Sequence, residues 1–421
     1  MTPPKLETWE LRARFAAALS TMYGTEVPAY TTLVDVSAEV NRDHVEHHPD
    51  AEKLGSLDRV TAERHGAIRV GTPGEMRDVA DLFAAFGMYP VGFYDLRDAA
   101  SPVPVVSTAF RPTEAAELAR NPFRVFTSML ATADPRFFDA ELRARVERSL
   151  AERTLFDPEL IAQARVIATD GGCAVTKADG FVDRAVTAFA LSREPIDRAW
   201  YDELSAVSAV AADIAGVRST HINHLTPRVL DIDELYTRMA ARGISMIDAI
   251  QGPPRWTGPD VLLRQTSFRA LAEPRRFREA DGSVVDGTLR VRFGEVEARG
   301  VALTPKGRAL YDTAFAALTG ATDPAAVWAR HFPDTDAELA AQELAYYYGG
   351  DPAKPVVYED FLPASAAGIF RSNLDTDGTV AQVADDSDYS SDWMAGAIGR
   401  DLLDPYALYG ALAQQSQEIS V

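Results

Sequence analysis

The sequence predicts an α+β protein built on two copies of a strand–helix–three-strand module, with helical insertions and N- and C-terminal extensions. Three observations lead there. The phrase His65-Gly66-Ala67-Ile68-Arg69-Val70 returns as His224-Leu225-Thr226-Pro227-Arg228-Val229, each copy placing an arginine four residues after a histidine. At the same offset of 159 residues, Thr72, Glu75 and Met76 stand opposite Asp231, Glu234 and Leu235, and both copies run on through a helix-like stretch to a glycine, Gly87 and Gly243. Both then reach a second shared phrase, Thr108-Ala109-Phe110-Arg111 and Thr266-Ser267-Phe268-Arg269. Internal repeats decide an architecture before any single element does. Two facing modules would bring His65 and His224 to one site.

Residues 1–60 read as a helical segment. Leu11, Phe15, Ala18, Leu19 and Met22 share one face at helical spacing. His44 and His48 lie one helical turn apart, which is metal-ligand spacing, but an exposed helix end is the better reading. Residues 61–134 form the first module. A strand from His65 to Val70 is followed by a helix that starts at Pro73-Gly74-Glu75, carries Met76, Val79, Leu82, Phe83 and Phe86 inward, and stops at Gly87. Strands follow at Val91–Leu96, Val103–Phe110 and Phe123–Phe126.

Residues 135–217 read as a helical insertion broken at Asp170-Gly171-Gly172-Cys173. Residues 218–310 form the second module. Its strand Ile222–Val229 is interrupted by Pro227, its helix spans Asp233–Arg242, and strands Val261–Arg269 and Leu289–Glu297 flank a turn at Asp281-Gly282. Residues 311–421 are a mixed C-terminal region. Its aspartates Asp375, Asp377, Asp385, Asp386 and Asp388 lack the spacing of a calcium loop.

With 421 residues, 47% of them hydrophobic, the chain can bury a large core. A net charge of -20 without a basic block argues against a nucleic-acid partner. The single cysteine, Cys173, excludes an intrachain disulfide and fits a reducing compartment. With no histidine nearby in sequence to act as its base, Cys173 reads as structural. The first residues lack the apolar core of a signal peptide, and no apolar run reaches the ~18 residues of a membrane span. The expectation is a cytoplasmic protein with no membrane partner.

Only seven histidines are present, and two of them head the repeated strands. A third ligand is available from Glu295 or Glu297, which point to the same face of a strand. Two histidines and one carboxylate leave open positions on a metal and suit non-haem Fe(II) and oxygen chemistry. His221 is the reserve for His224; three residues apart on a strand, the two face opposite sides, and the repeat selects His224. Arg69 shares the face of His65, and its planar fork suits a carboxylate substrate such as a 2-oxo acid. For Arg228 a buried ion pair is the stronger reading.

The matching stretches Arg64–Arg69, Gly87–Leu96, Ser107–Pro112, His221–Arg228, Phe293–Glu297, Tyr358–Pro363 and Ser365–Phe370 make the chain resemble the 2-oxoadipate dioxygenase/decarboxylase family, also called hydroxyglutarate synthase, of the vicinal oxygen chelate superfamily. The resemblance implies paired βαβββ modules forming a central curved sheet or barrel, with residues 311–421 completing the active site. It implies Fe(II) held by His65 and His224 from first strands and by Glu295, rather than Glu297, from a fourth strand. Arg69 would act in catalysis and contact substrate, while Ala364 and Ser365 would hold the far carboxylate; Ala364 stands where relatives carry valine, which widens the pocket. The implied reaction takes 2-oxoadipate and O2 to D-2-hydroxyglutarate and CO2, in lysine catabolism. Two other classes fit the same residues: an oxygen-independent metal-dependent isomerase or hydrolase, and a non-catalytic protein that binds a small anion.

Overall fold

A computed structural model describes residues 4–98, 102–290, 292–362 and 387–415. Ala364 and Ser365 lie outside the described residues, as do Asp375, Asp377, Asp385 and Asp386.

Strand β1 (Lys5–Glu7) leads into helices α1 (Thr8–Glu26), α2 (Pro28–His47) and α3 (Leu57–Ala62). The first repeat phrase is strand β2 (Arg64–Val70), and α4 (Pro73–Ala84) follows it. Thr72 caps α4 by accepting from the Glu75 backbone N–H at 3.1 Å, Pro73 sits where its missing N–H costs nothing, and Gly87 takes a left-handed φ of 65° just beyond the helix. Strands β3 (Tyr89–Asp95), β4 (Val105–Arg111) and β5 (Arg124–Leu130) complete this part, with α5 (Ala115–Arg120) between the last two.

The middle of the chain is helical: α6 (Ala140–Ala151), α7 (Pro158–Asp170), α8 (Val175–Thr187), α9 (Arg198–Val207) and α10 (Ala209–Ala211). Two short strands interrupt it, β6 (Gly172–Ala174) at the expected glycine break and β7 (Ile196–Asp197). A single π-helical turn, Ala212–Gly216, ends this region. Strand β8 (His224–Pro227) then opens the second repeat phrase, and α11 (Ile232–Ala241) follows. Asp231 caps α11 from the position matching Thr72, and Gly243 follows it at φ 76°. Strands β9 (Leu263–Phe268), β10 (Glu273–Arg278), β11 (Val284–Leu289) and β12 (Gly294–Arg299) come next, then the helix Pro305–Ala316 and shorter C-terminal helices.

The main sheet has the order β3-β4-β5-β2-β8. Within it β2 runs parallel to β5 and antiparallel to β8, with Ala67 opposite His224 and His65 opposite Thr226. Beyond β8, a parallel bridge pairs Arg228 with Glu297 of β12, and β12 runs antiparallel to β9. β2, β8 and β12 are therefore spatial neighbours. Phe15 of α1 stacks on Phe86 at 4.4 Å between ring centroids and meets Phe123 and Phe189 edge-on, so the N-terminal helices, the main sheet and the middle helices share one apolar core. No helix among the described residues is long and apolar enough to cross a membrane.

Four strand expectations are corrected. The stretch Leu289–Glu297 is not one strand: Leu289 ends β11 and β12 begins at Gly294, because the intervening Arg292 turns into an ion-pair cluster with Glu26 and Glu273. The turn at Asp281-Gly282 joins β10 to β11, but this hairpin pairs with β7 in a separate three-stranded sheet rather than with β9 and β12. The strand foreseen from Val261 starts only at Leu263, since Leu262 sits in the left-handed region at φ 54°. Pro227 closes β8 rather than interrupting it.

Candidate metal centre

Three side chains meet at the seam of β2, β8 and β12. His65 is the second residue of β2, His224 the first of β8 and Glu295 the second of β12, and all three are buried. Their ligand atoms lie within 4.8 Å of one another. Glu295 Oε1 is 3.7 Å from His65 Nε2, and Glu295 Oε2 is 3.7 Å from His224 Nδ1. These separations are too long for hydrogen bonds. Glu295 thus stands beside both imidazoles without a hydrogen bond to either.

The electrostatics of the trio fit a cation. Burial, and after it the charge of Glu297, push the Glu295 carboxyl well above the ordinary range, against the pull of Arg299. Burial, followed by the neighbouring His65 and Arg69, holds His224 well below the ordinary imidazole range. Burial also lowers His65, although Glu297 opposes it. Two imidazoles that burial holds toward the neutral form, and a carboxylate with no arginine or lysine paired to it among the described residues, are a donor set that a divalent ion would satisfy. The residues present therefore fit a bound metal.

Glu297 is held differently. Its carboxylate takes both arms of the Arg299 fork, at 2.6 and 2.9 Å, and lies 3.5 Å from Arg124 Nη1. Burial alone would raise this group, but Arg299, His65 and Arg124 overcome it and keep Glu297 below the ordinary carboxylate range. Its Oε1 is 3.1 Å from His65 Nδ1, on the side of the ring away from Glu295, though not aligned as a linear hydrogen bond. Behind this pair, Glu63 bridges Arg124 at 2.5 Å and Arg228 at 3.0 Å, and Arg124 reaches Glu359 at 2.5 Å. Arg228 thus belongs to a buried ion-pair network, as its stronger reading has it.

Aromatic rings wall the trio. Phe293 stacks on His224 at 5.1 Å, and Phe361 meets His65 edge-on at 5.0 Å. The two imidazoles are themselves edge-to-face at 5.4 Å. Thr226 Oγ1 lies 3.0 Å from His224 Nδ1 and fixes the ring.

Arg69 is buried four residues along β2 and close enough to lower the proton affinity of His224. Its guanidinium is paired with Asp213, the second residue of the π-helical turn. His221 also turns to Asp213, with Nε2 3.2 Å from Oδ1, and so stands away from the trio. The sequence reading missed Asp213, Phe293, Phe361 and Glu63. Asp213 lies in the alanine-rich run Ala209–Ala215 and carries no motif; Glu63 alone had a signal, two residues ahead of His65.

Comparison with known proteins points to one family. The profile of the 2-oxoadipate dioxygenase/decarboxylase family matches residues 15–373. The Mycobacterium tuberculosis 2-oxoadipate dioxygenase/decarboxylase is 71% identical over 413 residues, covering 98% of this chain and 99% of that one. The Escherichia coli protein of the same name is 40% identical and covers 97% of both chains. Among solved structures, the hydroxyglutarate synthase of Pseudomonas putida in complex with 2-oxoadipate superimposes with a TM-score of 0.81 at 37% identity, over 97% of this chain and 96% of that one.

Proposed function

The chain belongs to the 2-oxoadipate dioxygenase/decarboxylase family, and from that premise we propose that it converts 2-oxoadipate and O2 to D-2-hydroxyglutarate and CO2, using Fe(II) held by His65, His224 and Glu295. The observation that carries the reading is the buried two-histidine, one-carboxylate trio on three neighbouring strands. Bound there, iron supplies open coordination positions and the oxygen chemistry that such a donor set suits. The substrate assignment draws on the Pseudomonas putida relative solved with 2-oxoadipate.

The protein's own groups have separable tasks. Glu297 and Thr226 orient the two imidazoles, each beside one ring nitrogen. Phe293 and Phe361 exclude water from the rings they cover. Arg69 receives a carboxylate of the substrate and orients it beside His224. Ala364 and Ser365 hold the far carboxylate in the same reading.

We also read residues 61–134 and 218–310 as copies of one vicinal-oxygen-chelate module. In support, Thr72 and Asp231 are both helix caps, Gly87 and Gly243 both follow those helices in left-handed conformations, and the parallel contacts β2–β5 and Arg228–Glu297 occupy matching places. The cell context in this reading is the cytosol and lysine breakdown.

The test is oxygen uptake by anaerobically Fe(II)-loaded protein given 2-oxoadipate, with products followed by mass. Uptake matched one-to-one by CO2 and 2-hydroxyglutarate is expected. Turnover that proceeds without O2 would transfer the chain to the metal-dependent isomerases or hydrolases, and tight binding of the acid without metal or turnover would make it an anion-binding protein.

A further inference from the structure

Asp213 is a buried carboxylate around which Arg69, the candidate substrate arginine, and Asn223 and His221 gather. Its Oδ2 accepts from Arg69 Nη1 and, at 3.0 Å, from Asn223 Nδ2. Its Oδ1 lies 3.2 Å from His221 Nε2. The partners themselves are anchored. Thr220 Oγ1 donates to the Arg69 carbonyl at 2.7 Å, and the Asn223 backbone N–H donates to the Ala67 carbonyl at 2.9 Å. The segment Thr220–Asn223 is thereby laid alongside β2, with His221 and Asn223 turned to Asp213.

The backbone under Asp213 is unusual. It belongs to the π-helical turn Ala212–Gly216, which continues α10 and ends before Val217. A π-turn inserts one residue into a helical run and re-aims the side chain there; such turns are rare and concentrate at functional sites. The residues flanking Asp213 in the turn, Ala212 and Ile214, are apolar and packed in the core, and Asp213 is the turn's one charged group.

We propose that Asp213 is a positioning residue for substrate binding: it holds the Arg69 guanidinium in the orientation that receives a substrate carboxylate, and His221 and Asn223 hold Asp213. This rests on the reading of Arg69 as a substrate contact. A free arginine side chain loses considerable rotamer freedom when it clamps a ligand. An Asp213 that has already fixed the guanidinium removes that loss from the binding step. The same arrangement gives His221 its place outside the candidate centre: its Nε2 faces Asp213.

The experiment is a double-mutant cycle read by binding. Anaerobic, Fe(II)-loaded protein is titrated with 2-oxoadipate by calorimetry for the unaltered chain, Asp213→Asn, Arg69→Ala and the double variant, with iron content measured for each. Asp213→Asn is expected to weaken 2-oxoadipate binding by about tenfold or more, as for loss of a charge-assisted hydrogen bond, with full iron content, and to have no further effect once Arg69 is alanine. Asp213→Glu keeps the charge but moves the carboxylate by one methylene, and it is expected to weaken binding as well, even if Asp213→Asn folds poorly. Equal weakening by Asp213→Asn with and without Arg69 overturns the inference, because a merely structural carboxylate acts in both backgrounds. Arg69→Ala binding 2-oxoadipate as well as the unaltered chain overturns the Arg69 reading, and the inference falls with it.

Discussion

Glu295 and Glu297 stand two residues apart on one face of β12, and the ring of His65 divides them: Nε2 is 3.7 Å from Glu295 and Nδ1 is 3.1 Å from Glu297. One carboxylate faces the two imidazoles and, among the described residues, pairs with no arginine or lysine. The other is gripped by Arg299 and Arg124. Two residues of the same type on the same face have thus been given opposite electrostatic surroundings.

That division predicts different losses. Glu295→Gln should abolish iron retention, because it removes a ligand. Glu297→Gln should keep the ligand set and weaken iron affinity by about 10- to 100-fold, the usual cost of removing a group that orients a ligating histidine. Competition titration against a chelator separates the two; equal losses would sink the assignment of roles.

The burial of Glu295 predicts a stability gain in its loss. Without a cation the carboxylate is desolvated and prefers its proton, so the metal-free protein carries a penalty at neutral pH. Glu295→Gln should stabilise the metal-free chain, on the order of 1 kcal/mol, while destroying metal binding. Thermal unfolding of both metal-free proteins checks this, and a lower melting temperature for the variant would contradict it.

The Glu297–Arg299 pair should be costly to break by one partner. Arg299→Met leaves Glu297 buried with its main counter-charge gone, for an expected loss of about 3–5 kcal/mol. The double variant Glu297→Gln with Arg299→Met should lose far less than the sum of the singles, since no charge is then stranded. Denaturant unfolding of the three variants gives the answer.

Acid should unfold the protein through carboxylates that are held ionised. Burial opposes the charge of Glu63 and Asp213, but Arg228 and Arg124 around the first, and His221 and Arg69 around the second, hold both below the ordinary carboxylate range. A group depressed in the folded state binds its proton more readily when unfolded. Its stabilising contribution is therefore complete above the ordinary carboxylate range and drains away as pH falls toward the folded value. Melting temperature should hold steady near neutrality and drop below about pH 4.5. Asp213→Asn should start from a lower melting temperature and show a shallower acid limb; an unchanged limb would contradict the role of Asp213 in it.

What the sequence disclosed depended on what repeats. His65 and His224 were legible because a phrase was written twice, and Thr72 and Asp231 because they recur at the same offset within it; that both cap helices is a finding of the structure. The choice between Glu295 and Glu297 was not legible from strand alternation, which places both on one face; only the arginines brought in by β5 and by β12 itself distinguish them. The β10–β11 hairpin was misplaced because pairing with β7 joins segments some eighty residues apart, for which local pattern has no signal. Asp213 was invisible because a π-turn is set by packing around an alanine-rich run.

The trio on β2, β8 and β12 also constrains how the protein comes into being. Its members are close in space but sit at positions 65, 224 and 295 of the chain. During synthesis most of the polypeptide must leave the ribosome before the last donor exists, so a metal held by this trio could not nucleate the early stages of folding. The contacts that close the seam, antiparallel β2–β8 and the parallel Arg228–Glu297 bridge, are non-local and slow to form. A metal taken up by this trio would therefore come at the end of maturation rather than at its beginning, after a folded, metal-free stage in which Glu295 waits buried.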